Sequence, residues 1–382
     1  MCHNRHVINR VILKSVKDDL KQKIVLLTGP RQSGKTTFSN QLSNSIDYIN
    51  YDKSEHKIRI NNQEWDRKKE VIVFDEIHKM DNWKLYLKGI FDVEGIPPSI
   101  FVTGSSKMDV FRKVGDSLAG RFFRYRMHPF DLKEIYDQFK LTPDELLELM
   151  LTVGNFPEPF IRGKESFYRR WKKTHMDIIL RQDLIDLSVV QDIPKLEHLI
   201  EILKRRVGST ISYSNIARDI EKDPNTVKRW LQLLENMYIV FKVSPYSESV
   251  SRSLLKDSKY YFYDVGQVVG DSQKLENVVA CALLKECHYQ EDINGFDAAL
   301  HFLRTKDGRE IDFVTVVDRV ATTLIEVKET DSNLSPHFDH FLPLFSQGKG
   351  IQVVKNLKRN TNFKNGCRLE KLSEWLCKLK II

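Results

Sequence analysis

No apolar run in these 382 residues approaches the ~18 that a membrane-crossing helix requires, so no spanning segment is expected. The first ten residues, MCHNRHVINR, hold no apolar stretch of the kind a secretory signal carries. Cysteine is sparse: Cys2, Cys281, Cys287, Cys367 and Cys377 are odd in number, scattered, and form no CxxC pair. Neither a disulfide framework nor a zinc site is expected from them, and a cytoplasmic location follows. Internal repeats and low-complexity linkers are also missing, which excludes a solenoid and implies domains that pack closely. At this length two to three domains are expected, each able to bury its own core. The net charge of +8 permits a polyanionic partner without requiring one.

What is present starts with Lys23-IVLLTGPRQSGKTT-Phe38. Gly29, Gly34, Lys35 and Thr36 complete the G-x4-G-K-[ST] phosphate-binding loop. A buried strand, 24–27, precedes the loop and a helix-compatible segment, 33–42, follows it, which is the context the motif needs. The backbone N–H groups of Gly29, Pro30, Arg31, Gln32, Ser33, Gly34, Lys35, Thr36 and Thr37 (proline excepted) are expected around the phosphates of ATP. Lys35 would reach the β- and γ-phosphates, and the Thr36 hydroxyl would ligate Mg²⁺. In Val71-IVFDEIHK-Met80, Asp75 and Glu76 close a second buried strand. Asp75 is expected to hold Mg²⁺, directly or through water, and Glu76 to orient or deprotonate the attacking water. Ser99-IFVTGS-Ser106 reads as a third strand, inserted between the first two. Thr103 and Ser105 are both candidates for a hydroxyl near the γ-phosphate. In Ser117-LAGRFFRYRMHPFDLKEI-Tyr136, Arg121 is a candidate charge-stabilising arginine, in cis or from a neighbouring subunit, with a structural role the alternative.

The segments GPRQSGKTT, VIVFDEIHKM, FVTGSS, SLAGRFFRY and HPFDLKE together resemble a widespread prokaryotic family of AAA-type P-loop ATPases. The resemblance covers roughly residues 5 to 380. It implies an ATPase followed by a winged-helix region and a C-terminal domain resembling PD-(D/E)xK nucleases. One departure is Val153-Gly154-Asn155-Phe156-Pro157-Glu158, where the family often has Gly-Gly-Phe-Pro-Glu. The turn is expected to survive, because Asn tolerates positive φ.

Residues 141–205 are rich in helix formers with apolar 3–4 spacing, as in Leu146, Leu147, Met150 and Leu151, continued by Trp171, Ile178, Ile179, Leu184 and Leu187. They read as a helical lid. Between Leu196 and Tyr246 the rhythm is that of a helix-turn-helix with a wing: helices at 196–207, 213–220 (capped by Ser212) and 224–236, then short strands at 240–243 and 260–263. On DNA, Asn225, Thr226, Lys228 and Arg229 would lie near the groove or phosphates; a protein–protein or interdomain module is the alternative.

Further on, Leu275-Glu276-Asn277 opens a helix, and Asp312 and Glu326-Val327-Lys328 sit on successive strands joined by a turn near Asp318-Arg319. Glu326 and Lys328 share a face, and Asp312 opposes them. This resembles the D…ExK core of PD-(D/E)xK nucleases, with Glu276 in the place of the helical acid. Asp312 and Glu326 would hold Mg²⁺ or Mn²⁺ that activates water, and Lys328 would neutralise charge. An inert charged hairpin, or a nuclease fold without activity, are the alternatives.

The expected fold is therefore α/β: a P-loop parallel sheet at 1–140, a helical lid at 141–195, a winged helix at 196–265, and a restriction-endonuclease-like domain at 266–382. The expected function is ATP hydrolysis coupled to action on DNA or other nucleic acid, with no membrane partner and a possible homo-oligomer. The alternative is a nucleotide-dependent switch or scaffold whose C-terminal domain binds a partner without cleaving.

Overall fold

The computed structural model describes residues 8–104, 118–183, 192–247, 257–330, 333–345 and 348–382. Ser105, Ser117, Leu184 and Leu187 lie outside the described residues. By compactness the chain divides in two: one unit runs to His128 and includes 236–238 and 292–294, and the other comprises 129–235, 239–291 and 295–382. No helix among the described residues is long and apolar enough to cross a membrane.

The first unit is built on five parallel strands, β1 (Ile24–Thr28), β2 (Ile46–Asn50), β3 (Val71–Asp75), β4 (Ser99–Gly104) and β5 (Phe122–Arg126). Their order is β2-β3-β4-β1-β5, so β4 does insert between the two motif strands. Strands β1 and β3 are buried along their whole length, as near-continuous Val, Ile and Leu runs demand of a sheet covered on both faces. The mixed α/β unit with its parallel sheet fits a P-loop NTPase-like fold. The helix after the loop is shorter than the expected 33–42: it covers Lys35–Ser39. Beyond it, Gln41 and Leu42 donate three residues back, to Phe38 (2.9 Å) and Ser39 (3.2 Å), the tightened turn that often ends a helix.

In the second unit the described strands form one sheet: β6 (Thr210–Ile211), β7 (Val240–Pro245), β8 (Ser258–Phe262), β9 (Ala298–Arg304), β10 (Glu310–Val317), β11 (Val320–Lys328), β12 (Lys349–Val354), β13 (Thr361–Asn362) and β14 (Arg368–Lys371). Their order is β13-β14-β12-β11-β10-β9-β7-β8-β6. The join is β7 to β9, with Ser244 opposite His301 and Pro245 opposite Phe302. Helices at Ile193–Arg205, Tyr213–Asp219 and Pro224–Asn236 precede β7. Ser212 occupies the cap position of the second, but its side chain makes no capping bond. The aromatic run Tyr260 to Tyr263 is core, each residue 2% exposed or less. The hairpin turn between β10 and β11 is as short as expected: Asp318 (φ 47°) and Arg319 (φ 68°) both adopt the left-handed conformation that matches strand twist.

The turn at Gly154 survives by another route than the one expected. Gly154 takes the positive φ (73°), while Asn155 does not. Asn155 is fully buried instead, its side-chain oxygen accepting from the Val265 N–H (3.1 Å) and its backbone oxygen from the Phe130 N–H (2.8 Å). The asparagine is there for its side-chain carbonyl, not its backbone freedom.

Candidate functional site

The loop between β1 and Lys35 has the geometry of an anion cradle. Gln32 (φ 60°) and Gly34 (φ 97°) take left-handed conformations, and this turning gathers backbone N–H groups on one side of the loop. Gly29 is required by space: a Cβ there would lie 2.2 Å from the Met127 carbonyl oxygen. Met127 in turn donates its N–H to the Thr28 carbonyl (2.7 Å), locking the last residue of β1 to the chain leaving β5. Arg10 braces the other flank, donating to the Ser33 carbonyl (3.0 Å) and to the His128 carbonyl. Lys35 is buried with its ammonium across the loop mouth, donating to the carbonyls of Gly29 (2.8 Å) and Pro30 (2.7 Å). Thr36 and Thr37 stand on the exposed side of the helix start.

Asp75 ends β3, buried, with both carboxylate oxygens accepting hydrogen bonds. Thr103 donates to Oδ1, while Tyr48 and Asn50 (3.1 Å) donate to Oδ2. Tyr48 also stands beside the Thr36 side chain, so the hydroxyl and the carboxylate of the two motifs meet around one phenol. Burial first, then the Asp75 carboxylate, push the Tyr48 hydroxyl up to about 12. Glu76 adopts a left-handed backbone (φ 58°), and its carboxylate lies 3.6 Å from His78 and 3.7 Å from Lys79. Thr103 thus points its hydroxyl at Asp75.

Arg121 is not brought to the loop. Its carbonyl receives the Ile24 N–H (3.0 Å) at the start of β1, whereas the loop leaves from the other end, roughly 13 Å away at strand rise. Its guanidinium makes a two-pronged pair with Asp92 (2.6 and 3.1 Å), which raises the arginine and lowers the aspartate from their ordinary pKa ranges. A cis contact from Arg121 to the phosphates is absent for that reason. Arg126 is committed as well, its backbone N–H (2.9 Å) and guanidinium (2.7 Å) both on Asp292.

A second constellation lies in the other unit. One step beyond the Phe313–Ile325 pair, Asp312 of β10 stands opposite Glu326 of β11. Asp312 Oδ2 accepts from the Val327 N–H (2.9 Å). Burial, then the charges of Glu276 and Glu326, push its carboxyl well above the usual range. Glu326 is 4% exposed; Lys328 donates to its Oε1 (2.8 Å), and its Oε2 is buried without a hydrogen-bond partner. Asp312, Glu326 and Lys328 are therefore brought together. Glu276 stands near enough for its charge to act on Asp312, and its carboxylate has partners of its own. Its Oε1 accepts from Tyr261 (2.7 Å) and from the ammonium of Lys259 (3.2 Å), and Lys259 also pairs with Glu310 (2.5 Å). Lys259 is fully buried; burial would lower it, but Glu276, Asp312 and Glu310 overcome this and hold it charged. Among the described residues, no three or more His, Cys, Asp or Glu side chains are grouped as a ready metal site. The donors that do meet, two carboxylates with one orphaned oxygen, fit a hard cation completed by water.

Sequence reasoning missed Arg10, Tyr48, Asn50, Lys259 and Tyr261. The one available signal was spacing: Tyr48 and Asn50 sit two apart at the end of a strand-like run, as catalytic-edge residues of a parallel sheet do.

Residues 21–136 match the family model described as AAA domain. That match supports an AAA-type P-loop ATPase-like region over the first sheet, within which the loop from Gly29 to Thr37 and Asp75 both fall. Residues 144–270 match Domain of unknown function (DUF8612), and 272–371 match Domain of unknown function (DUF4143). An uncharacterized protein of Methanocaldococcus jannaschii is 26% identical over 68% of this chain, which spans 64% of that protein's length. One of Haemophilus influenzae is 23% identical over 87% of this chain and 92% of its own length. Among solved structures, the Pyrococcus furiosus Hef helicase domain aligns over 91% of this chain and 89% of that one at 10% identity, but its TM-score of 0.21 carries no argument.

Proposed function

We propose that this chain is a magnesium-dependent ATPase whose nucleotide state governs a C-terminal module acting on nucleic acid. The observation that carries the ATPase reading is the meeting of Thr36 and Asp75 around Tyr48 beside a loop with Lys35 across its mouth. In this reading Gly29 to Thr37 wrap the phosphates, and Lys35 turns from the Gly29 and Pro30 carbonyls to the β- and γ-phosphates. Thr36 and Asp75 would hold Mg²⁺, whose charge, when bound, offsets that developing on the phosphates. Glu76 orients the attacking water, with His78 and Lys79 fixing its carboxylate. Thr103 keeps Asp75 in place. Arg121 acts, if it acts on nucleotide, from a neighbouring copy.

In the C-terminal module Asp312 and Glu326 would hold a divalent cation that supplies an activated water at a phosphodiester. Lys328 neutralises the phosphate, and Glu276 contributes through Lys259 by setting the field at Asp312. The helix Pro224–Asn236 would serve as a recognition helix, since Asn225, Lys228 and Arg229 are exposed on it. The engagement of Glu276 by Lys259 and Tyr261 favours a second reading, a nucleotide-driven switch whose C-terminal module binds without cutting.

One assay separates the two. ATP turnover and cleavage of single- and double-stranded DNA are measured with Mg²⁺ or Mn²⁺ for wild type, Lys35→Ala and Asp312→Ala. Lys35→Ala is expected to lower ATP turnover by roughly 10²–10³-fold, the scale for losing one charge-stabilising donor. Cleavage lost in Asp312→Ala supports the nuclease; no cleavage by wild type with turnover intact supports the switch. Wild type without turnover would overturn the ATPase reading.

A further inference from the structure

Tyr48 belongs to neither nucleotide motif, yet it stands where the two meet. On β2 it lies opposite Val73, and Asn50 lies opposite Asp75, so Tyr48 and Asn50 point to the same side of the sheet at its C-terminal edge. The Tyr48 hydroxyl donates to Asp75 Oδ2, the oxygen that also takes Asn50, while Thr103 holds Oδ1. A phenol has one proton and two lone pairs. With the proton committed to Asp75, the phenol oxygen can only accept on the side where Thr36 stands. A carboxylate offers about four acceptor positions, and three are taken here by Tyr48, Asn50 and Thr103. Thr36 and Asp75 present oxygen donors alone, the set a hard divalent cation prefers.

We infer that Tyr48 is a positioning residue for the divalent cation of the nucleotide site, interposed between Thr36 and Asp75. It accepts the Thr36 hydroxyl proton, which leaves the Thr36 lone pairs for the metal. It also holds Asp75 one phenol away, so that Asp75 acts on the metal's water rather than on the metal itself. The inference rests on the nucleotide-binding reading and deepens it.

The test uses the full chain and a fluorescent ADP analogue. Affinity is measured in EDTA and across a Mg²⁺ titration for wild type and Tyr48→Phe, with thermal melting to verify that the variant is folded. Tyr48→Phe should bind in EDTA within about twofold of wild type but need about tenfold more Mg²⁺ for half of the metal-dependent tightening. That is the worth of one hydrogen bond to a charged group. The Mg²⁺ concentration for half-maximal ATP turnover should shift by the same factor. Equal Mg²⁺ requirements would overturn the inference, as would a folded variant equally weakened with and without metal. Wild type that binds the analogue under neither condition would overturn the nucleotide reading itself.

Discussion

Asp264 shows how one buried residue sets a measurable property. It is 5% exposed and accepts from Tyr168 (2.9 Å), from the Gly266 N–H (3.1 Å) and from Gln267 (3.3 Å). Burial pushes its carboxyl up to about 6 against these donors and the nearby Lys172. The folded-state value then lies above the ordinary ~3.9, so between about pH 4 and 6 the folded chain holds more protons than the unfolded one. Stability from this group is full below that window and falls as pH rises through it, by up to about 3 kcal/mol. Denaturation of wild type and Asp264→Asn across pH 4 to 7 should show wild type losing stability relative to the variant as pH rises; a constant gap would exclude this. Gly29 carries the other single-residue prediction. A methyl group 2.2 Å from the Met127 oxygen forces β1 and the chain after β5 apart, so Gly29→Ala should lower Tm as well as nucleotide affinity. A variant that loses affinity with an unchanged Tm would speak against the packing role.

Between elements, the segment after β5 explains a motif that sequence marks without explaining. In HPFDLKE, Asp131 caps the short helix Leu132–Ile135, and with Glu134 it receives Lys285 from the helix Asp271–Tyr289 at 2.9 and 2.7 Å. Next to it Lys133 pairs with Glu286 at 2.6 Å. Asp131, Glu134 and Lys285 are buried, so Lys285→Met takes the ammonium away from two carboxylates in a low-dielectric site. The expected loss is about 3–5 kcal/mol, read from urea unfolding. Adding Asp131→Asn and Glu134→Gln should restore a large part of it, since the penalty comes from stranded charge. The motif was legible because its residues are adjacent; its purpose was not, because its partner lies about 150 positions away. The same holds for β2, whose polar Tyr48 and Asn50 gain meaning only beside Asp75.

At the scale of the molecule, compactness follows the sheets more closely than the segments of sequence. Strands β6 to β8 continue into β9 through the β7 pairing, and the helix Asp271–Tyr289 packs on β8, β9, β10 and β11 alike. A fragment of residues 196–265 would expose the β7 edge and the apolar face of β8, so it should lack a cooperative thermal transition by circular dichroism. A fragment of 129–382 should retain one; a sharp transition in the short fragment would refute this. The sequence by itself determined the phosphate loop, the order of the first sheet's motif strands, and the opposition of Asp312 to Glu326 and Lys328. Each of these is local, set by hydrophobic runs, by strand alternation and by glycine where backbone must come close. Tertiary structure alone decided that Arg121 lies at the far end of β1 with Asp92, that Glu276 serves Lys259 and Tyr261, and that Tyr48 stands between Thr36 and Asp75. The physical reason is that a charged or polar side chain is defined by its partner, and in these cases the partner comes from a distant strand or helix that only packing brings near.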